Sequence, residues 1–135
     1  MKSFEFIIEQ HSISQNIDGG SLEGYVVSTD KPNITNYLQS QGASPELITY
    51  IIKKYKMLGL IRNMYVDDEM RGQGIGNDLV GNAIDDAAAA GSDAILLVSD
   101  QNEDNKFNLT KWYEGFGFEV IGMAGGDPVM LLELS

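Results

Sequence analysis

The chain has 135 residues, 43% of them apolar and 21% charged, with no cysteine, one histidine and a formal net charge of −11. That length suits one domain spanning residues 1–135 with a single substantial core. The composition excludes disulfides, thiolate metal sites and a cysteine nucleophile; a zinc centre built on His11 alone is excluded too, so no metal is expected. The acidic balance argues against binding nucleic acid, which needs clustered Lys and Arg, and favours cationic partners.

No apolar run approaches the roughly 18 residues of a membrane span, so no membrane partner is expected. The opening Met1-Lys2-Ser3-Phe4-Glu5 places an acidic residue where a signal peptide would be apolar, which implies a cytoplasmic location. Phe4 to Glu9 reads as a first strand, with His11 a surface residue after it. Asp18-Gly19-Gly20 punctuates before a second strand, Leu22 to Ser28, which can pair with the first as a hairpin. Thr29-Asp30-Lys31-Pro32 ends it.

From Asn33 the spacing becomes helical, with Ile34, Tyr37 and Leu38 on one face and Gly42 as C-cap. Ser44 and Pro45 then start a second helix, whose apolar stripe is Leu47, Ile48, Ile51, Ile52 and Tyr55. Lys53, Lys54 and Lys56 complement the negative end of its dipole. Leu58 to Val66 is the central strand, apolar but for Arg62 and Asn63, two conspicuous polar residues.

Arg71-Gly72-Gln73-Gly74-Ile75-Gly76 follows that strand and opens a helix that carries Ile75, Leu79, Ile84 and the alanines 87–90, and ends at Gly91. A glycine-rich turn at a helix start lets backbone N–H groups and the helix dipole converge on phosphate oxygens, so the segment reads as a pyrophosphate cradle. It lacks the Gly-Lys-Ser/Thr of a triphosphate loop and the third glycine of a dinucleotide fingerprint. Ala94 to Val98 is a buried parallel-type strand reached by a right-handed crossover. An acidic loop from Ser99 to Asn105 leads to a short helix over Leu109 to Glu114; strands at Gly117 to Gly122 and Val129 to Leu134, joined by Gly125-Gly126-Asp127-Pro128, close the chain.

Arg71-x-x-Gly74-x-Gly76 after a strand ending in Val66 resembles the acyl-coenzyme A loop of the Gcn5-related N-acetyltransferase (GNAT) superfamily. A second block, Trp112-Tyr113-Glu114-Gly115-Phe116-Gly117-Phe118, is similar to that superfamily's Tyr-x-x-x-Gly-Phe signature. The resemblance covers Leu58 to Gly122, leaving residues 1–57 as an atypical acceptor-side half in which the customary helix pair looks displaced. It implies an α/β (α+β) fold: a mixed, mostly antiparallel sheet with a splayed parallel strand pair, flanked by helices.

The resemblance further implies acetyl-CoA as acyl donor, with the backbone of Met64 and Val66 pairing to pantetheine. The amides from Arg71 through Gly72, Gln73, Gly74 and Ile75 to Gly76 would hold the pyrophosphate, with Arg71 adding charge. Tyr113 matches the residue that protonates the leaving thiolate. Asn105 and Asn108 are both candidates for a coenzyme A contact ahead of the short helix. No carboxylate lies between Met57 and Val66 to serve as base, which leaves Glu23 or a water relay. The activity implied is direct transfer of acetyl to a primary amine, on a small cationic molecule or on a protein lysine or N-terminus. The alternative is a catalytically degenerate binding module that captures a basic protein. A homodimer is left open.

Overall fold

The computed structural model describes residues 10–67, 72–100 and 108–134. Its strands are β1 (Gln10–Ser12), β2 (Gln15–Ile17), β3 (Gly20–Ser28), β4 (Met57–Val66), β5 (Ala94–Val98), β6 (Glu119–Ala124) and β7 (Asp127–Glu133). Its helices are α1 (Pro32–Gln41), α2 (Pro45–Lys54), α3 (Ile75–Ala89) and α4 (Leu109–Glu114). The strand expected over Phe4 to Glu9 lies outside the described residues. His11 is exposed within β1.

The strands form one sheet in the order β1-β3-β4-β5-β7-β6, with β2 also paired to β3. Each pairing is antiparallel except β4 with β5. This is the mixed, mostly antiparallel sheet expected from the resemblance. The turn of the β2–β3 hairpin is the Asp18-Gly19 punctuation, but the short strand β2 ahead of it was not expected, and β7 starts two residues earlier than expected, so Asp127 and Pro128 belong to the strand rather than to the turn. Pro128 is tolerated at a strand start, where its missing N–H is least costly; its carbonyl accepts a bond from the Ser99 N–H at 2.8 Å.

The helices divide between the two faces. Ile48 and Ile51 of α2, with Ile34 and Leu38 of α1, pack on Leu58, Leu60, Leu96 and Leu131. Leu79, Val80, Ala83 and Ala87 of α3 pack on the other face against Leu22, Ile61, Ile95 and Leu97. The alanines let α3 lie close to the sheet: a β-carbon on Gly59 would stand 3.5 Å from that of Ala87. Ser44 caps α2 by accepting the Leu47 N–H at 3.2 Å, and Gly42 ends α1 at φ +93°. The C-terminal end of α2 is pinned to β7, where Tyr55 donates to Glu133 at 2.6 Å and Lys54 lies 3.4 Å from the same carboxylate.

Two irregularities in β4 set up the site. First, the parallel ladder with β5 holds only at Leu58–Ala94, Gly59–Ile95 and Leu60–Leu96, so the strands separate beyond Leu60. Second, the register with β3 jumps from Ile61–Gly24 to Asn63–Glu23, which makes Arg62 an extra, unpaired residue. Side chains alternate faces along a strand, so one added residue reverses the sequence parity. Leu58 and Leu60 face α1 and α2, whereas beyond the bulge Met64 and Val66 pack on the α3 side. The polar pair Arg62-Asn63 thus marks the bulge.

Candidate functional site

Where β4 leaves β5, a groove of about 1020 Å³ opens between the two helical layers. From Ile61 to Val66, β4 stays bonded to β3 on one side and has no β5 partner on the other. Backbone groups on that free side need partners from a ligand or from water. Met64, Val66, Gly72, Gly74, Ile75, Gly76 and Tyr113 all line the groove, so the structure brings together most of the residues singled out in the sequence.

The glycines of the turn differ in role. Gly72 and Gly74 adopt φ of +86° and +83°, and a β-carbon on either would meet nothing within 4 Å among the described residues. They are needed for conformation, and the space above them is open. Gly74 is the N-cap of α3 and supplies no side-chain cap, so the first amides of the helix are not closed off by their own cap residue. Gly76 is needed for proximity: its β-carbon would lie 3.2 Å from the Trp112 indole. That contact seats the start of α3 against α4.

Gln73 is exposed and does not line the groove. Asn108 is the N-cap of α4, its side-chain oxygen accepting the Lys111 N–H at 3.0 Å, and it stands off the groove wall. Arg71 and Asn105 lie outside the described residues.

Tyr113 is held from several sides. Its ring meets Trp112 edge-on at 5.1 Å and Phe118 at 5.8 Å, and Trp112 in turn meets Phe116 at 4.9 Å. The wholly buried Ser99 at the end of β5 shares a 3.1 Å hydrogen bond with Thr110, which ties α4 to the sheet. Tyr113 is 5% exposed, and burial, reinforced by the nearby Tyr37 phenol, pushes its pKa up to about 12. Among the described residues its hydroxyl has no hydrogen-bond partner, yet it is not a sealed orphan. A protonated phenol with an uncommitted O–H facing a groove is equipped to donate.

The far wall comes from the other layer, whose α1 falls in the half expected to face the acceptor, although no residue of that wall was singled out from the sequence. Tyr37 and Gln41 of α1, with Asp127 of β7, line this end. Burial raises the Tyr37 pKa, against the opposing effect of the Arg62 guanidinium 5.8 Å from its ring centroid. In the sequence Tyr37 is one member of an apolar stripe, and only the polarity of Arg62 within an apolar strand could have pointed to this end. Glu23, a candidate base, is exposed, accepts a 2.9 Å bond from Asn63, and is not itself on the groove wall; Asn63 is. Among the described residues no cluster of three or more His, Cys, Asp or Glu could hold a metal, and no helix is long and apolar enough to cross a membrane.

Residues 23–120 match the sequence family described as an acetyltransferase (GNAT) domain. The match takes in β3, α1 and α2, reaching further towards the N-terminus than the two motifs did. Among solved structures, the fold is similar to a Drosophila melanogaster polyamine N-acetyltransferase that catalyses the formation of N-acetylagmatine (10% identity, 85% of this chain and 69% of that chain, TM-score 0.56). It is also similar to Arabidopsis thaliana NAA60 in complex with a bisubstrate analogue (12% identity, 86% and 65%, TM-score 0.57). A third similar structure is an Arabidopsis thaliana protein in complex with the bisubstrate analogue CoA-Ac-MVNAL (20% identity, 85% and 65%, TM-score 0.50). The chain spans 52% to 74% of the length of the solved structures it resembles. No curated protein sequence matches it. The family match covers well over half of the chain, and its paired motifs fall on a single groove beside a splayed strand pair: the chain belongs to the GNAT acetyltransferase family.

Proposed function

We propose that the chain is an acetyl-CoA-dependent N-acetyltransferase that moves an acetyl group directly onto a primary amine. The observation that carries this reading is the continuity of one groove. It runs from the open glycine turn at the start of α3, along the unpaired side of β4, to the Tyr113 hydroxyl and on to the α1 and β7 wall.

The thioester of acetyl-CoA supplies the activated acyl group. The turn amides at Gly72 to Gly76 hold the pyrophosphate, and Arg71 adds positive charge. The free side of β4 at Met64 and Val66 bonds the pantetheine amides, while backbone N–H groups there polarise the acyl carbonyl. Attack by the amine forms the C–N bond and breaks the C–S bond, and Tyr113 delivers its proton to the departing sulfur. Water at the open end of the groove carries the proton lost by the amine to Glu23, held by the groove-lining Asn63, and solvent entering the groove returns a proton to Tyr113 once coenzyme A thiol has left.

Calorimetry with acetyl-CoA, followed by detection of released coenzyme A thiol over a panel of amines, tests this reading. Heat of binding and amine-dependent thiol release are expected. Gly74→Glu, which puts bulk and charge into the open cradle, should abolish the binding heat. No heat with the unaltered protein would overturn the assignment and leave a protein that captures a basic partner through its acidic surface.

A further inference from the structure

Arg62 occupies an unusual position for a cation. The chain has 20 Asp and Glu against 9 Lys and Arg, so carboxylates are plentiful. Among the described residues, however, its guanidinium pairs with none; its contact is the face of Tyr37, 5.8 Å from the ring centroid. The residue is exposed, lines the groove, and is the extra residue of the β4 bulge. A cation–π contact at an exposed site is weak, and it leaves the N–H donors of the guanidinium available. Such a fork of donors suits a carboxylate in a bidentate pair.

The anion in question is not the pyrophosphate of the donor. Arg62 precedes Val66 by four residues, about 13 Å along an extended strand, and the glycine turn lies further on. Arg62 instead shares its end of the groove with Tyr37, Gln41 and Asp127. Asp100 lines the groove as well, so Arg62 is the one cation beside more than one carboxylate among the described lining residues, an arrangement able to take both the carboxylate and the ammonium of a zwitterion.

Building on the acetyl-transfer reading, we propose that Arg62 recognises a carboxylate on the acceptor and that the acceptor is a free amino acid rather than a polyamine. The Arg62 guanidinium takes the carboxylate, and Asp127 attracts the ammonium before its proton is lost.

Matched acceptors that differ by one carboxylate test this directly: lysine against cadaverine, arginine against agmatine, tyrosine against tyramine. For at least one pair, kcat/KM should favour the amino acid by about tenfold to a hundredfold, the range expected for a charge-assisted hydrogen bond. Arg62→Gln should erase the preference by raising KM for the amino acid, leaving the decarboxylated partner and the Kd for acetyl-CoA within about twofold. Arg62→Lys should restore part of it. A merely structural contact with Tyr37 would move both members of a pair alike.

Equal or reversed preference in the unaltered protein, a preference that survives Arg62→Gln, or loss of acetyl-CoA affinity in that variant would each overturn the proposal. So would acetyl-CoA binding with no member of any pair acetylated, an outcome that leaves the donor site standing. Failure to bind acetyl-CoA at all would remove the transfer reading itself, and this proposal with it.

Discussion

Gly125, at the tip of the β6–β7 hairpin, approaches Gln41 so closely that a β-carbon on it would stand 2.7 Å from the Gln41 carbonyl oxygen. Next to this contact, Ala43 and Ala124 form an isolated antiparallel bridge, and a β-carbon on Gly42 would lie 3.0 Å from the Gly125 nitrogen. The turn between α1 and α2 is thereby joined to the hairpin, which holds Gln41 and Asp127 on one wall. Gly125→Ala should cost about 2 kcal/mol, from the φ of +58° and from the backbone overlap together. Thermal unfolding checks the loss. In the folded variant KM for the acceptor should rise while Kd for acetyl-CoA stays put, since the cradle lies at the other end of the groove.

Tyr113→Phe removes one oxygen and leaves the ring packing intact. Turnover should fall by about a hundredfold or more, within the range of general acid catalysis, with acetyl-CoA affinity nearly unchanged. The pKa of about 12 also sets a pH dependence. The acid is competent while protonated, so the rate should show no decline attributable to Tyr113 up to about pH 10, the ordinary phenol value. A falling limb centred below that, absent in Tyr113→Phe, would overturn the raised pKa, and full turnover in Tyr113→Phe would remove the acid role.

Two glycines in one stretch of chain should respond oppositely to alanine. Gly81 lies inside α3, where an added methyl group would meet nothing within 4 Å, so Gly81→Ala should raise stability by about 0.5–1 kcal/mol. Gly74 also has open space, but its φ of +83° imposes about 1–2 kcal/mol on any residue with a β-carbon. A higher melting temperature for the first variant and a lower one for the second are expected from scanning calorimetry.

Asp93 joins the starts of the two parallel strands. Its carboxylate accepts the Met57 N–H at 3.0 Å and the Lys56 N–H at 2.9 Å, and these bonds hold its pKa below the usual carboxylate value. A depressed pKa means that the contribution is fully present above the unfolded value of about 4 and is lost as pH falls through the lower folded value. Asp93→Asn should therefore lower stability at neutral pH and flatten the acid limb of the stability curve. Denaturant titrations at pH 7 and pH 3 measure the difference.

Much of the fold was legible because local chemistry and global packing agree. Ser44-Pro45 starts a helix by capping and fixed φ, Gly42 ends one by adopting positive φ, and the alternate glycines from Gly72 to Gly76 mark a turn whose neighbourhood the structure leaves open. The three residues of β2 were too short to show a period, and they form only because β3 supplies the pairing. Tyr37 and Asp127 escaped notice for a related reason. Each has an ordinary local role, in a helix stripe and at a strand start, and they line the same groove only because the Ala43–Ala124 bridge joins the segments that carry them.

The bulge at Arg62 means that the groove depends on a count of residues as well as on their identities. Removing Arg62 would leave every other side chain in place in the sequence and restore strict alternation along β4. Met64 and Val66 would stay on the α3 layer, because the deletion takes out the one residue that the bulge adds; a regular ladder that kept Arg62 would instead turn Asn63 and Tyr65 towards that layer. A one-residue deletion would thus straighten the strand without reversing its faces, and it is closing the bulge around a retained Arg62 that would invert half a strand, whereas most substitutions at that position change only what the groove can recognise.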